Sequence, residues 1–199
     1  MFRILFFLLL PLSVFATPAA HLFELLNHFQ TLDAQFEQTT QDEKSHEIVA
    51  KSEGRMMIAR PGKFYWETQK PTHQIVIANG NTLWIYDVDL QQAVKQSLQA
   101  GPVNPALLLS SSDAALLKQF QVTEKIKGIT QTFTLTPKKN NPAFHAVALV
   151  FKQKVLNQVV IYNTLLQINQ FVFTKVKRNT PLSSKQFEFV PPKGVEVVK

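Results

Sequence analysis

Apolar residues recur in two rhythms along this chain. Leu22, Leu25, Leu26 and Phe29 fall at helical spacing and form one stripe, which predicts an amphipathic helix over residues 18–30. Pro18, directly after Thr17, suits a first helical turn. The rhythm then becomes alternation. Leu32, Ala34 and Phe36 point one way and Asp33, Gln35 and Glu37 the other, as in a strand. Extended stretches follow over residues 48–59, 63–68, 73–78 and 82–87. Arg60-Pro61-Gly62, Lys70-Pro71 and Asn79-Gly80 separate them; the last is the strongest turn signal, because both residues tolerate positive φ. Closely spaced strands joined this way predict an antiparallel meander.

The middle of the chain changes character. Residues 89–99 are polar and predict a short helix. Two more are expected over 106–109 and 114–120, the first unusually apolar, with Asn104 and the Ser112-Asp113 pair as N-caps. Strands return over 121–127, 129–136, 144–153, 155–162, 168–176 and 184–189. About ten strands with few helices predict a mainly β (α+β) fold. Its expected form is a single curved antiparallel sheet or an open barrel, with the few short helices plugging or lidding its concave face.

The first residues stand outside this pattern. Residues 1–16 read MFRILFFLLLPLSVFA, with Arg3 at the start, an apolar run, and small residues before Thr17. This is the pattern of a secretory signal peptide. The run is shorter than the ~20 residues that span a bilayer. The expected organisation is a signal peptide over 1–16 and one exported domain over 17–199.

Composition sharpens the picture. The chain has 199 residues, no Cys and 16 Phe among its aromatics. The missing Cys excludes disulfides, thiolate metal sites, a Cys nucleophile and a lipid anchor on an N-terminal Cys. The formal net charge is +7, with the excess in the last 82 residues. Such asymmetry fits a basic face for an acidic partner or a membrane surface, and fits at least as well the solvated outer faces of strands. Nucleic acid is not expected in an exported protein. No Gly-x-Ser-x-Gly elbow, phosphate-cradling loop or His-Glu-x-x-His motif occurs, and the five His are dispersed. Neither an enzyme, a cofactor nor a metal site is expected. What remains is apolar aromatic surface on predicted strands. On its own it reads first as packed core, and only second as the lining of an apolar ligand cavity.

Several segments, in order, resemble one family. Residues 54–67 read GRMMIARPGKFYWE and residues 79–90 read NGNTLWIYDVDL. Phe36-x-Gln38, Asn104-Pro105 with Ala106 to Leu109, Leu135-x-Pro137-Lys138, and Phe187-x-Phe189-x-Pro191-Pro192-x-Gly194-Val195 accompany them. Together they resemble the outer-membrane lipoprotein carrier (LolA) family. One turn departs: Tyr162 to Gln167 lacks the family's Asp and Gly, and Leu166 is not expected to take the positive φ that Gly would.

The resemblance implies a periplasmic carrier, built as a mainly β (α+β) incomplete β-barrel, a half-barrel with short helices as a lid over a hydrophobic cavity. It would accept triacylated lipoproteins from an inner-membrane ABC-type release complex and deliver them, as a monomer, to an outer-membrane receptor lipoprotein. It also implies roles for residues: Arg60 and Pro61, with Leu107 and Leu108, as the lid and gate, and Arg60 bonded to the lid. Phe36, Phe64, Trp66, Trp84, Tyr86 and Phe151 are the expected acyl-chain cavity. The receptor of the same pathway is set aside because it needs an N-terminal Cys. The alternative is a periplasmic sensor or binding domain for acyl chains on the same half-barrel; such sensors carry a further C-terminal domain.

Overall fold

Thr17 begins the fold by capping its first helix. Its side-chain oxygen accepts from the Ala20 N–H at 3.2 Å, satisfying a donor that the first turn leaves open. Helix α1 (Pro18–Asn27) follows and buries Leu22, Leu25 and Leu26, the predicted stripe. The computed structural model describes residues 17–98 and 105–198; the expected signal peptide and Asn104 lie outside them.

The strands are β1 (Thr31–Asp42), β2 (Ile48–Ala59), β3 (Lys63–Lys70), β4 (Gln74–Asn79), β5 (Thr82–Asp87) and β6 (Gln92–Ser97). Helix α2 (Pro105–Ser110) and a 3₁₀ helix (Ala114–Gln119) come next. Then come β7 (Phe120–Lys127), β8 (Thr130–Pro137), β9 (Phe144–Lys152), β10 (Val155–Asn163) and β11 (Gln167–Arg178). A second 3₁₀ helix (Ser184–Phe187) and β12 (Glu196–Val198) close the described chain. The twelve strands of the described residues form one sheet, in the order β12-β6-β5-β4-β3-β2-β1-β11-β10-β9-β8-β7. Every neighbour pair is antiparallel except β12 with β6. The two outermost strands do not meet, so the sheet is an open, incomplete barrel.

Three expectations are corrected. The polar stretch expected as a helix is instead β6, paired to β5 through Tyr86↔Ala93 and Trp84↔Lys95. Pairing to a neighbour overrides a weak local helix preference, and Ala93 is fully buried as a result. The strand expected over 184–189 is a 3₁₀ turn, closed by the Gln186 side chain accepting from the Ser183 N–H at 3.0 Å. Finally, Leu166 does take positive φ, at 58°. Asn163 makes this tolerable. Its Oδ1 accepts from the N–H groups of Leu165 and Gln167, at 3.0 and 2.9 Å, and so replaces a glycine turn by an Asx turn.

The sheet buries one apolar face against the helices. Leu32, Ala34 and Phe36 on β1, Met56 and Ile58 on β2, Phe64 on β3, and Phe171 and Phe173 on β11 all join one cluster. Phe133, Leu149 and Phe151 join it from the far side of the sheet. Helix α1 contributes its leucines, α2 contributes Leu108 and Leu109, and the first 3₁₀ helix contributes Leu117. The helices therefore sit across the concave side, as a lid must.

Candidate functional site

The aromatic floor of the concave face is built by register. Pairing of β2 with β3 places Met56 opposite Trp66 and Ile58 opposite Phe64. Phe36, on β1 and opposite Gly54, then meets Trp66 with ring centroids 4.0 Å apart and planes 24° from parallel. Phe171 strikes both edge-on, at 5.9 Å from Phe36 and 4.9 Å from Trp66. Phe64 lies parallel to Trp66 at 6.1 Å. Phe151 sits farther round the sheet, edge-on to Phe133 at 5.9 Å. Phe36, Phe64 and Phe151 are buried, and Trp66 packs partly buried against the same cluster. The only polar atom on these four side chains, Trp66 Nε1, donates to Thr68 Oγ1 at 3.3 Å.

Trp84 and Tyr86 are not part of this floor. On β5, Leu83 and Ile85 take the concave side. Trp84 and Tyr86 alternate to the outer face, where each ring centroid lies 5.2 Å from that of Phe189. Lys95 Nζ stands 5.5 Å from the Trp84 ring. The segment around the second 3₁₀ helix covers this face: Phe187 is fully buried, and Gln186 Nε2 approaches Met57 Sδ at 3.5 Å. Trp66→Ala is therefore expected to change the uptake of an apolar fluorescent probe. Trp84→Ala should leave that uptake unchanged while costing about 2 kcal/mol of stability in a thermal melt.

Arg60 closes the other end of the interior. It follows β2, is nearly buried, and precedes Pro61 through a cis peptide bond. Its Nη2 donates to the Leu109 carbonyl at 2.5 Å, in the last turn of α2. Its Nη1 donates to Asn27 Oδ1 at 3.2 Å, on the last residue of α1. Its guanidinium also lies 4.7 Å from the centre of the Phe29 ring. One side chain thus ties the sheet to both helices, using a carbonyl that a helix end leaves without an intrahelical partner. The backbone repeats the tie: Arg60 N–H donates to Gln30 O at 2.8 Å and Gly62 N–H donates to Ser110 O at 3.0 Å. Burial lowers the Arg60 pKa to about 10.

Leu107 and Leu108 lie on α2, with Leu108 buried in the cluster and Leu107 packed against it, partly exposed. Sequence reasoning missed Asn27, Phe29, Leu109 and Ser110 as partners of the Arg60 segment. A carbonyl acceptor leaves no mark on residue identity, so only the apolar helix itself was a signal.

At the opposite end the concave face turns polar in one step. Beyond Phe36 on β1 come Gln38 and Thr40, and beyond Phe171 on β11 comes Asn169. Ser52 Oγ donates to Gln38 Oε1 at 2.8 Å, and Thr40 Oγ1 donates to Asn169 Oδ1 at 2.8 Å. Gln38 Nε2 reaches both Thr40 Oγ1 and Asn169 Oδ1 at 3.3 Å. The apolar interior therefore lies between an Arg clasp at one end and a ring of neutral polar groups at the other.

The model of the family "Outer membrane lipoprotein carrier protein LolA" matches residues 27–190 of this chain. An outer-membrane lipoprotein carrier protein of Coxiella burnetii is 44% identical over 178 residues, covering 88% of this chain and 84% of that relative. One from Legionella pneumophila is 39% identical over 189 residues, covering 94% and 93%. Among solved structures, a LolA superfamily protein from Nitrosomonas europaea has a TM-score of 0.51 at 11% identity, covering 87% of this chain and 99% of that one. A conserved protein from Thermus thermophilus has a TM-score of 0.56 at 14% identity, covering 92% and 99%. These last two show likeness of fold.

Proposed function

The chain belongs to the LolA family of outer-membrane lipoprotein carriers and is a carrier of lipoproteins, and from that premise we propose how its parts serve the task. The cargo's acyl chains enter the trough between the aromatic floor and the helices. Phe36, Phe64, Trp66 and Phe151 line it; Leu107 and Leu108 roof it; Arg60, with Pro61 setting the exit of β2, latches the roof. Residues 1–16 act as the export signal that brings the chain to the periplasm. Among the described residues, no helix is long and apolar enough to cross a membrane. The carrier loads as a monomer at an inner-membrane ABC-type release complex and unloads at an outer-membrane receptor lipoprotein. No chemistry is performed on the cargo.

The physical need is plain. Each acyl methylene moved from membrane to water costs about 0.8 kcal/mol, so three bare chains do not cross an aqueous space on their own. A lidded apolar trough turns the crossing into two exchanges between similar environments. The observation that carries the reading is the Arg60 clasp, which joins both roof helices to the sheet through side-chain bonds that can part without unfolding the sheet. An empty roof held by a few polar bonds can open when apolar chains compete for the floor beneath it.

The test is direct. Protein purified from the periplasm is expected to carry acylated lipoprotein detectable by intact-mass spectrometry, in unaltered chemical form. Adding the empty protein to energised membranes that contain the release complex should bring lipoprotein into the soluble fraction. Failure to solubilise any lipoprotein, with the protein folded, would sink the reading.

A further inference from the structure

Strand β2 is longer than its neighbour on one side. It pairs with β1 almost from its start, Ile48 facing Gln41. Its pairing with β3 begins only at Glu53, opposite Lys70, the last residue of β3, after which the chain turns away at Pro71. Residues 48–52 therefore form a strand edge inside the sheet with no strand beside it. Alternate residues of such a stretch direct their N–H and C=O groups away from β1, towards nothing in the described chain. Residues 48–51 are exposed and Ser52 half-buried. Two features mark this edge as more than an overhang. A groove of about 680 Å³ opens at the inner end of this edge, lined by Lys51 to Glu53 of β2, Glu37 to Thr39 of β1, and Lys70 and Pro71. That volume is in the range of clefts that hold a drug-sized ligand. The same groove reaches Gln38, which belongs to the polar ring where the aromatic floor ends.

We propose that this free edge of β2 receives, as an added β-strand, the extended peptide that follows the acylated N-terminal residue of the cargo. The inference rests on the carrier reading. It says where the chemistry changes along the cargo and matches each part to the surface it meets. Acyl chains lie on the floor at Phe36, Trp66 and Phe171. The ester and amide groups joining them to the peptide reach the ring of Gln38, Thr40, Ser52 and Asn169, whose amide and hydroxyl groups both donate and accept. The peptide leaves along residues 48–52. Strand addition needs only backbone groups of the guest, so it accepts many sequences, which suits a carrier with varied cargo. The Lys70–Glu53 ion pair, at 3.0 Å, neutralises the near end of the groove, and the edge asks for no particular charge.

The experiment uses synthetic triacylated peptides with identical lipid heads and a ten-residue tether, presented in detergent micelles to the full-length mature protein. One is unmodified. Two carry N-methyl groups at alternate tether residues, in the two opposite parities. Removing the N–H groups that face the edge is expected to weaken binding about tenfold, while the other parity binds like the unmodified peptide. Equal binding of all three, or equal loss in both methylated forms, would overturn the inference while leaving the carrier reading intact. No binding of any of the three would overturn both. A second readout uses the absence of Cys in the chain. Lys51→Cys then supplies the only thiol. Disulfide trapping with a Cys walked along the tether should alternate with a period of two. Trapping of a second copy of the carrier in place of the peptide would mean that the edge pairs with itself, and would overturn the proposal.

Discussion

Gly54→Ala is expected to destabilise the protein by about 3 kcal/mol, among the larger costs of overpacking a filled core. For a chain of this size that corresponds to a melting temperature lower by about 6–12 °C. The reason is local and geometric. A Cβ at position 54 would collide with the Glu67 carbonyl oxygen and stand 2.6 Å from Phe36 Cζ. The first is backbone of the paired strand β3 and cannot step aside without opening the β2–β3 ladder. The second is the ring stacked on Trp66. Relief of either contact disturbs the floor of the trough, so reduced uptake of an apolar probe should accompany the loss of stability. Gly80→Ala is the control. That glycine sits at φ 61°, but a Cβ there meets nothing within 4 Å. Its cost is confined to the left-handed backbone, about 1 kcal/mol, and probe uptake should not change. Thermal melts of the two variants separate close packing from backbone freedom; equal melting temperatures would refute the crowding account.

The pairing of strands was legible because alternation and turn chemistry are local. Leu32, Ala34 and Phe36 announced the concave face of β1 directly, and Asn79-Gly80 announced the β4–β5 hairpin. The face of β5 was not legible by the same rule. Leu83-Trp84-Ile85-Tyr86 is apolar without interruption, which signals burial on both sides. The structure supplies the second cover, in Phe187 and Phe189 from more than a hundred residues downstream. Assigning Trp84 and Tyr86 to the lining chose the pair that faces outward, while Leu83 and Ile85 face the interior. The helix expected over 89–99 failed for a related reason. Ala93 and Val94 gain their place as a strand only because β5 lies alongside. Leu166 shows the opposite case, where a local signal was present and unread: Asn163, three positions earlier, supplies the Asx turn that lets a leucine stand in the left-handed region. The Arg60 clasp was expected only from the family resemblance, since an arginine before a proline at a strand end reads by itself as a surface residue. Its acceptor, the Leu109 carbonyl, depends on where α2 stops and is invisible in residue identity.

Arg60→Leu is expected to slow the departure of bound lipopeptide by at least tenfold and to reduce its transfer to a receptor, with the fold intact. The substitution leaves the two backbone ties of this segment, from Arg60 N–H and Gly62 N–H, in place. It removes the bonds to Asn27 and Leu109 and the guanidinium over Phe29. Bonds to a charged donor are worth about 1.5–3 kcal/mol each, and taking the charge out of water offsets part of that. A net loss of about 2 kcal/mol in roof closure is a shift of roughly thirtyfold towards the open form. Closure competes with the acyl chains for the floor, so weakening it tightens their hold by removing the population cost of opening. The same reasoning assigns the clasp its part in unloading: a roof that gains from closing helps expel the chains. Arg60→Lys separates charge from geometry. A lysine keeps the charge but lacks the planar fork that spans Asn27 and Leu109 together, so it should restore departure only in part. The pH dependence carries a sign. Burial places the folded Arg60 pKa at about 10, below its ordinary value, so the buried charge costs stability at all lower pH and that cost is relieved only as pH rises beyond about 10. Between pH 5 and about 9 the guanidinium stays protonated, and the difference between wild type and Arg60→Leu should be constant. Stopped-flow release of a fluorescent lipopeptide across that range measures both effects. Wild-type departure kinetics in Arg60→Leu would refute the clasp.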